Sequence, residues 1–75
     1  MLFRSRFAGA QQARVAVDSS GERLKLEVFY MNGNKIGEFD GRSSEIYWTP
    51  NVDKDFMVRV TNLGNKKTAY TLVTN

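Results

Sequence analysis

Eight carboxylates and eleven lysines and arginines are present, with no histidine and no cysteine, and that inventory bounds the chemistry open to the chain. Nucleophilic catalysis needs a serine, cysteine or threonine beside a positioned base. Here the base could come only from lysine, aspartate or glutamate. No G-x-S-x-G or S-x-x-K spacing sets up such a pair. Two carboxylates can flank a glycosidic bond, yet the acids fall mainly in turns and at outward strand positions, where they read as solvated charge. Gly33, Gly37 and Gly41 recur at even intervals but punctuate a hairpin, so no phosphate-cradling loop opens a helix. Zinc sites are built on the two residue types that are missing. For calcium the candidates are Asp18 with Glu22, Asp40, and Asp53 with Asp55, none of them a dense oxygen-rich loop. The expectation is a non-catalytic chain with no cofactor and no metal.

What remains is binding through surfaces. A formal net charge of +3 and a pI near 9.5 are ordinary for solubility and only weakly favour an acidic partner. Small barrels of the OB and cold-shock type stack bases on exposed aromatics beside cations. Phe29, Tyr47 and Tyr30 near Lys25, Lys35 and Arg59 could imitate that arrangement. The positive charges are nevertheless spread along the chain and interleaved with acids, so single-stranded nucleic acid is the alternative and not the first reading. Carbohydrate binding is a third reading. Trp48 is in phase with Ile46 and belongs to the core on that count, which leaves Tyr47 as the exposed aromatic for a sugar.

Such surfaces have to be positioned by short strands. Apolar residues alternate, turn residues interrupt them often, and no stretch has the helical period. Seven segments emerge: Leu2 to Phe7, Ala13 to Asp18, Leu24 to Tyr30, Lys35 to Phe39, Glu45 to Thr49, Asp55 to Asn62 and Ala69 to Thr74. Ser19-Ser20-Gly21 and Gly64-Asn65-Lys66-Lys67 read as polar connections. Asn32-Gly33 supplies the positive φ angles of a tight hairpin, and Asp40-Gly41 predicts a second turn of the same chemistry. Pro50 ends the fifth segment because it cannot donate to a ladder. The fold class is therefore all-β: a small antiparallel β-sandwich, jelly-roll-like, with about seven short strands, no substantial helix and one domain over residues 1–75.

One phase of these segments makes a coherent core of Val15, Val17, Leu24, Leu26, Val28, Ile46, Trp48, Phe56, Val58, Val60, Tyr70 and Leu72. Phe29, Met31, Tyr47, Met57 and Val73 are out of phase with it, where a solvated face would carry charges and threonines. Either loops, the N-terminal strand or a local bulge absorbs them, or they form a patch for another protein. Phe29, Met31, Tyr47, Met57 and Arg59 are accordingly the candidate interaction surface, for another domain, a surface partner or another copy of this chain. Leu2 to Phe7 could add to a neighbouring subunit's sheet, or serve as an edge strand of its own sheet guarded by Arg4 and Arg6. No apolar run of about 20 residues exists, so no membrane insertion is expected. Met1 to Gln12 lacks the apolar stretch of a signal peptide, so a secretion signal, if there is one, is expected outside these residues.

In order and spacing, several fragments resemble the small β-sandwich domains of the bacterial pre-peptidase C-terminal type. They are Phe7-Ala8-Gly9 with Ala13-x-Val15-x-Val17, Leu26-x-Val28-x-Tyr30 leading into Asn32-Gly33-Asn34, Trp48-Thr49-Pro50, Phe56-x-Val58-Arg59-Val60-x-Asn62-x-Gly64, and Tyr70-Thr71-Leu72. The resemblance implies a jelly-roll sandwich of two antiparallel sheets. It also implies a non-catalytic accessory role in adhesion or domain interaction, in a secreted or cell-surface setting. Some such domains bind calcium, but the sparse acids here do not support carrying that over.

Overall fold

In a computed structural model that describes residues 1–75, the chain forms seven strands and no helix. They are β1 (Leu2–Phe7), β2 (Ala13–Ser19), β3 (Leu24–Tyr30), β4 (Lys35–Gly41), β5 (Ser43–Trp48), β6 (Lys54–Asn62) and β7 (Tyr70–Thr74). Each expected segment is a strand, with ends displaced by no more than two residues. A four-stranded sheet in the order β1-β6-β3-β4 faces a three-stranded sheet in the order β5-β2-β7, and every pairing is antiparallel. Only β3 and β4 are consecutive neighbours within one sheet; every other connection carries the chain across to the opposite sheet.

Alternation then buries one side of each central strand. Val15 and Val17 of β2 meet Leu24, Leu26 and Val28 of β3 and Phe56, Val58 and Val60 of β6 in a single cluster that also holds Phe7, Ala13 and Ile46. Full burial of such side chains is worth about 1.5–3 kcal/mol each. Trp48, Tyr70 and Leu72 pack against this cluster only partly buried, because they lie on the two edge strands of the smaller sheet. The Trp48 ring stands edge-on to Phe7 at 4.9 Å and to Phe56 at 5.2 Å, which places it with the core.

Two turn expectations need correction. At Asn32-Gly33 only Gly33 has positive φ (95°), so a two-residue hairpin turn with both centres left-handed does not form. Instead the Gly33 N–H donates to Tyr30 O at 2.9 Å and the Tyr30 N–H donates to Asn34 O at 2.8 Å, closing a three-residue loop. The Asn32 side chain accepts from the Asn34 N–H at 2.9 Å, an Asx-type bond that braces the loop. Asp40-Gly41 is not a hairpin turn at all. Both residues finish β4, and at Gly41, with φ at 147°, the chain bends into β5 of the other sheet. A backbone that must leave one sheet and enter its neighbour within a single residue, Arg42, needs a conformation that only glycine adopts readily.

β1 is the edge strand of the larger sheet, as the guarded-edge reading expected. Its Arg4 and Arg6 both pair with Asp55 of β6, at 2.7 and 3.5 Å. Because the bend at Gly41 is Gly-specific, Gly41→Ala is expected to destabilise the fold by about 1–3 kcal/mol. Chemical denaturation of the two proteins side by side measures this, and an unchanged midpoint would contradict the strained corner.

Candidate functional site

The outward positions of the larger sheet come from the same alternation that builds the core. β6 contributes Asp55, Met57 and Arg59; β3 contributes Lys25, Glu27 and Phe29; β1 contributes Leu2, Arg4 and Arg6. Register aligns Phe29 with Met57, Glu27 with Arg59, and Leu2 with Arg59 from the other side. A shift in the β3–β4 pairing between Val28 and Phe29 brings Lys35 opposite Phe29. The result is a shallow depression of about 240 Å³ lined by Leu2, Phe29, Gly33, Met57 and Arg59.

Glu27 lies beside it, and its side chain is only 2% exposed although it points away from the core. This corrects the expectation that outward acids are simply solvated. Arg59 and Lys35 cover it, each with a nitrogen 2.8 Å from a Glu27 carboxylate oxygen. The same two cations flank the Phe29 ring, at 5.0 Å for Arg59 and 5.8 Å for Lys35. Glu38 of β4 faces Glu27 across the β3–β4 ladder, a juxtaposition that like charges disfavour. Lys35 at 2.5 Å and Lys25 at 3.6 Å from Glu38 neutralise it.

The Arg59 hydrogen bond drives the Glu27 carboxyl down, burial opposes it, Lys35 assists, and the pKa settles at about 2 against an ordinary 4.5. Arg59 and Lys35 are held above their ordinary values by the hydrogen bond each makes to Glu27. Glu27 is thus a permanent anion, a structural counter-ion and not a group poised to exchange protons near neutrality.

Phe29, Met57 and Arg59 are brought together, while Met31 and Tyr47 are not part of their depression. Met31 is exposed on the β3–β4 loop. Tyr47, 52% exposed, lies on β5 in the opposite sheet, where its hydroxyl donates to Glu45 at 2.7 Å. Val73 of β7 is exposed on that sheet as well. An out-of-phase position marks an outward side chain but does not say which of two outer faces it joins. Tyr30 packs on Phe56 at 5.7 Å with Lys54 5.8 Å over its ring, so Phe29, Tyr30 and Tyr47 share no single stacking platform.

Of the carboxylates weighed for calcium, Asp55 pairs with Arg4 and Arg6, and Asp53 accepts from the Gly9 N–H at 2.7 Å. No three acidic side chains converge. Sequence reasoning missed Glu27; the signal was its cross-strand partner Arg59, readable once the Asn32-Gly33 hairpin and the β6 register are aligned. Comparison with known proteins found no matching family model, no matching curated protein and no matching solved structure.

A carboxyl whose folded pKa is depressed stabilises the fold above its unfolded pKa and loses that contribution as pH falls through its folded value. For Glu27 the window runs from 4.5 down to about 2. Because solvent reaches both covering cations, the contribution is about 1–2 kcal/mol. Denaturation midpoints across this range are expected to fall as pH drops. In Glu27→Gln the fall is shallower and the protein is weaker at neutral pH; an identical pH profile in the variant would contradict the assignment.

Proposed function

We propose that this chain is a non-catalytic β-sandwich module that binds a segment of another protein on the outer face of its four-stranded sheet. The observation that carries the reading is the depression formed by Leu2, Phe29 and Met57, side chains from three adjacent strands, with Arg59 at its edge. A lone exposed apolar residue is unremarkable, but an apolar cluster that a protein maintains on a sheet's outer face is characteristic of an interaction site. The cluster is also held in place. Phe29 is fixed between two cations that are themselves fixed by a buried carboxylate, so little ordering is left to be done on binding.

The partner chemistry follows from the lining. An aliphatic or aromatic anchor enters between Leu2 and Met57, and a carboxylate next to it meets the half-exposed Arg59 and Lys35. A second copy of this chain is a poorer occupant. The exposed apolar side chains are divided between opposite faces, whereas a stable association buries about 800 Å² on each partner. The non-catalytic part of the reading is supported by Glu27, a deeply buried carboxylate held ionised instead of being raised toward neutrality. The resemblance to pre-peptidase C-terminal accessory domains agrees with a module of this kind.

Panning a displayed peptide library against the chain tests the proposal. Selected peptides are expected to place a large apolar residue beside Asp or Glu. Met57→Lys should weaken them about tenfold or more, the scale of a lost interface anchor. Tyr47→Ala, on the opposite face, should leave them unchanged. Failure to enrich any peptide whose binding depends on Met57 overturns the reading.

A further inference from the structure

The three-stranded sheet carries the largest depression in the molecule, about 360 Å³, at the low end of the roughly 300–1,000 Å³ of small-molecule sites. It lies apart from the peptide-binding face and shares no lining residue with it. Ala16 is among its lining residues, a small outward side chain on the central strand β2 of that sheet. Around it are two cross-strand polar pairs. Arg14 Nε donates to Glu45 Oε2 at 2.7 Å, and the Ser43 hydroxyl donates to Asp18 Oδ1 at 2.6 Å.

Each pair leaves hydrogen-bonding capacity unused. Tyr47 also donates to Glu45 Oε2, so Oε1 of Glu45 accepts nothing from the protein, nor does Oδ2 of Asp18. Arg14 reaches Glu45 through Nε alone and also interacts with the Tyr47 side chain, which leaves most of its guanidinium N–H groups without a protein acceptor. Ser44 borders the depression but shares the inward phase of Ile46 and pairs with Val17, so its buried, unpartnered hydroxyl is turned away from a ligand on the outer face. The remaining element is Phe39. It shares the inward phase of β4 with Gly37 and Gly41, yet it is 53% exposed, because its strand is an edge of the wider sheet.

We propose that this depression is a binding site for a neutral pyranose ring, the single unit of a saccharide. A sugar hydroxyl donates and accepts at once, which matches adjacent free carboxylate oxygens and guanidinium N–H groups. The apolar face of a pyranose packs on an exposed aromatic ring, and Phe39 supplies one. The charge balance selects a neutral ligand: one cation and two carboxylates line the site, so an anionic ligand meets net repulsion. This inference stands independently of the peptide-binding reading.

The experiment is a titration of ¹⁵N-labelled protein with methyl β-glucopyranoside, methyl β-galactopyranoside and methyl N-acetyl-β-glucosaminide, with glucuronate as the anionic counterpart. Saturable shifts are expected at the amides of Arg14, Asp18, Phe39 and Glu45 with at least one neutral glycoside, and weaker ones with glucuronate. Phe39→Ala removes a half-exposed ring and should weaken binding about tenfold. Ala16→Leu places bulk in the depression and should abolish binding. The amide spectrum of each variant reports its fold, so a variant that unfolds is recognised and the other decides. Met57→Lys should leave the titration unchanged. No saturable shift with any neutral glycoside, or binding that survives in a folded Phe39→Ala or Ala16→Leu protein, overturns the proposal.

Discussion

The contact between β3 and β6 on one side and β2 on the other is the constraint from which the rest of the molecule follows. A chain of 75 residues without disulfides can stabilise itself only by closing one core, and a two-sheet sandwich closes it by giving one side of every strand to the interior. Val15, Val17, Leu26, Val28, Phe56 and Val58 are at most 1% exposed and come from those three strands alone. The edge strands finish the core with larger, half-covered rings such as Trp48 and Tyr70. Every connection except β3–β4 crosses between sheets, so most neighbouring strands in the ladders are distant in sequence. Such non-local pairing makes folding slow for the size of the domain.

The same constraint leaves the outer faces without a covering layer. Both have to be made compatible with water by side chains alone, and the two sheets do this differently. On the larger sheet Glu27 is the pivot. Alone it would be a buried charge of high cost. Arg59 and Lys35 satisfy it, and their aliphatic stems and cationic heads then cover Phe29. Removing the carboxylate would leave two cations facing each other over an aromatic ring. The ion pairs and the apolar cluster are therefore one structure, and the cluster's exposure is stabilised by charge.

Much of this architecture was legible in the residues. Alternation in Leu24 to Tyr30 and in Phe56 to Val60 gives both the strand and the buried phase, because a one-residue slip would turn every side chain outward. What alternation does not carry is the third dimension. It marks Tyr47 and Met57 alike as outward, and only the sheet order separates them onto opposite faces. The β3–β4 register, which pairs Phe39 with Leu26, gives Phe39 the inward phase, yet four strands laid over three leave the outermost one partly uncovered. At Asp40-Gly41 the residue types of a hairpin are present, but the positive φ of Gly41 serves a bend between sheets. Glu27 was hidden for a related reason: its burial comes from Lys35 across the β3–β4 hairpin and from Arg59, 32 residues on, not from its own strand.

The two outer faces also differ in how much freedom their polar groups retain, and that difference separates the kinds of partner each can accept. On the larger sheet Arg59, Lys35 and Lys25 are already paired with Glu27 and Glu38, so affinity there comes mainly from apolar contact, with charge contributing orientation. On the smaller sheet each pair is satisfied through one oxygen only, around a residue as small as Ala16. Hydrogen bonds to such pre-positioned groups are directional, and water is the only competitor to be displaced. Polar groups already paired with one another favour recognition of shape and apolar surface, whereas half-used polar groups suit hydroxyls, and the two proposals differ on this ground. One small sandwich can carry both because its core needs only the inner side of each strand.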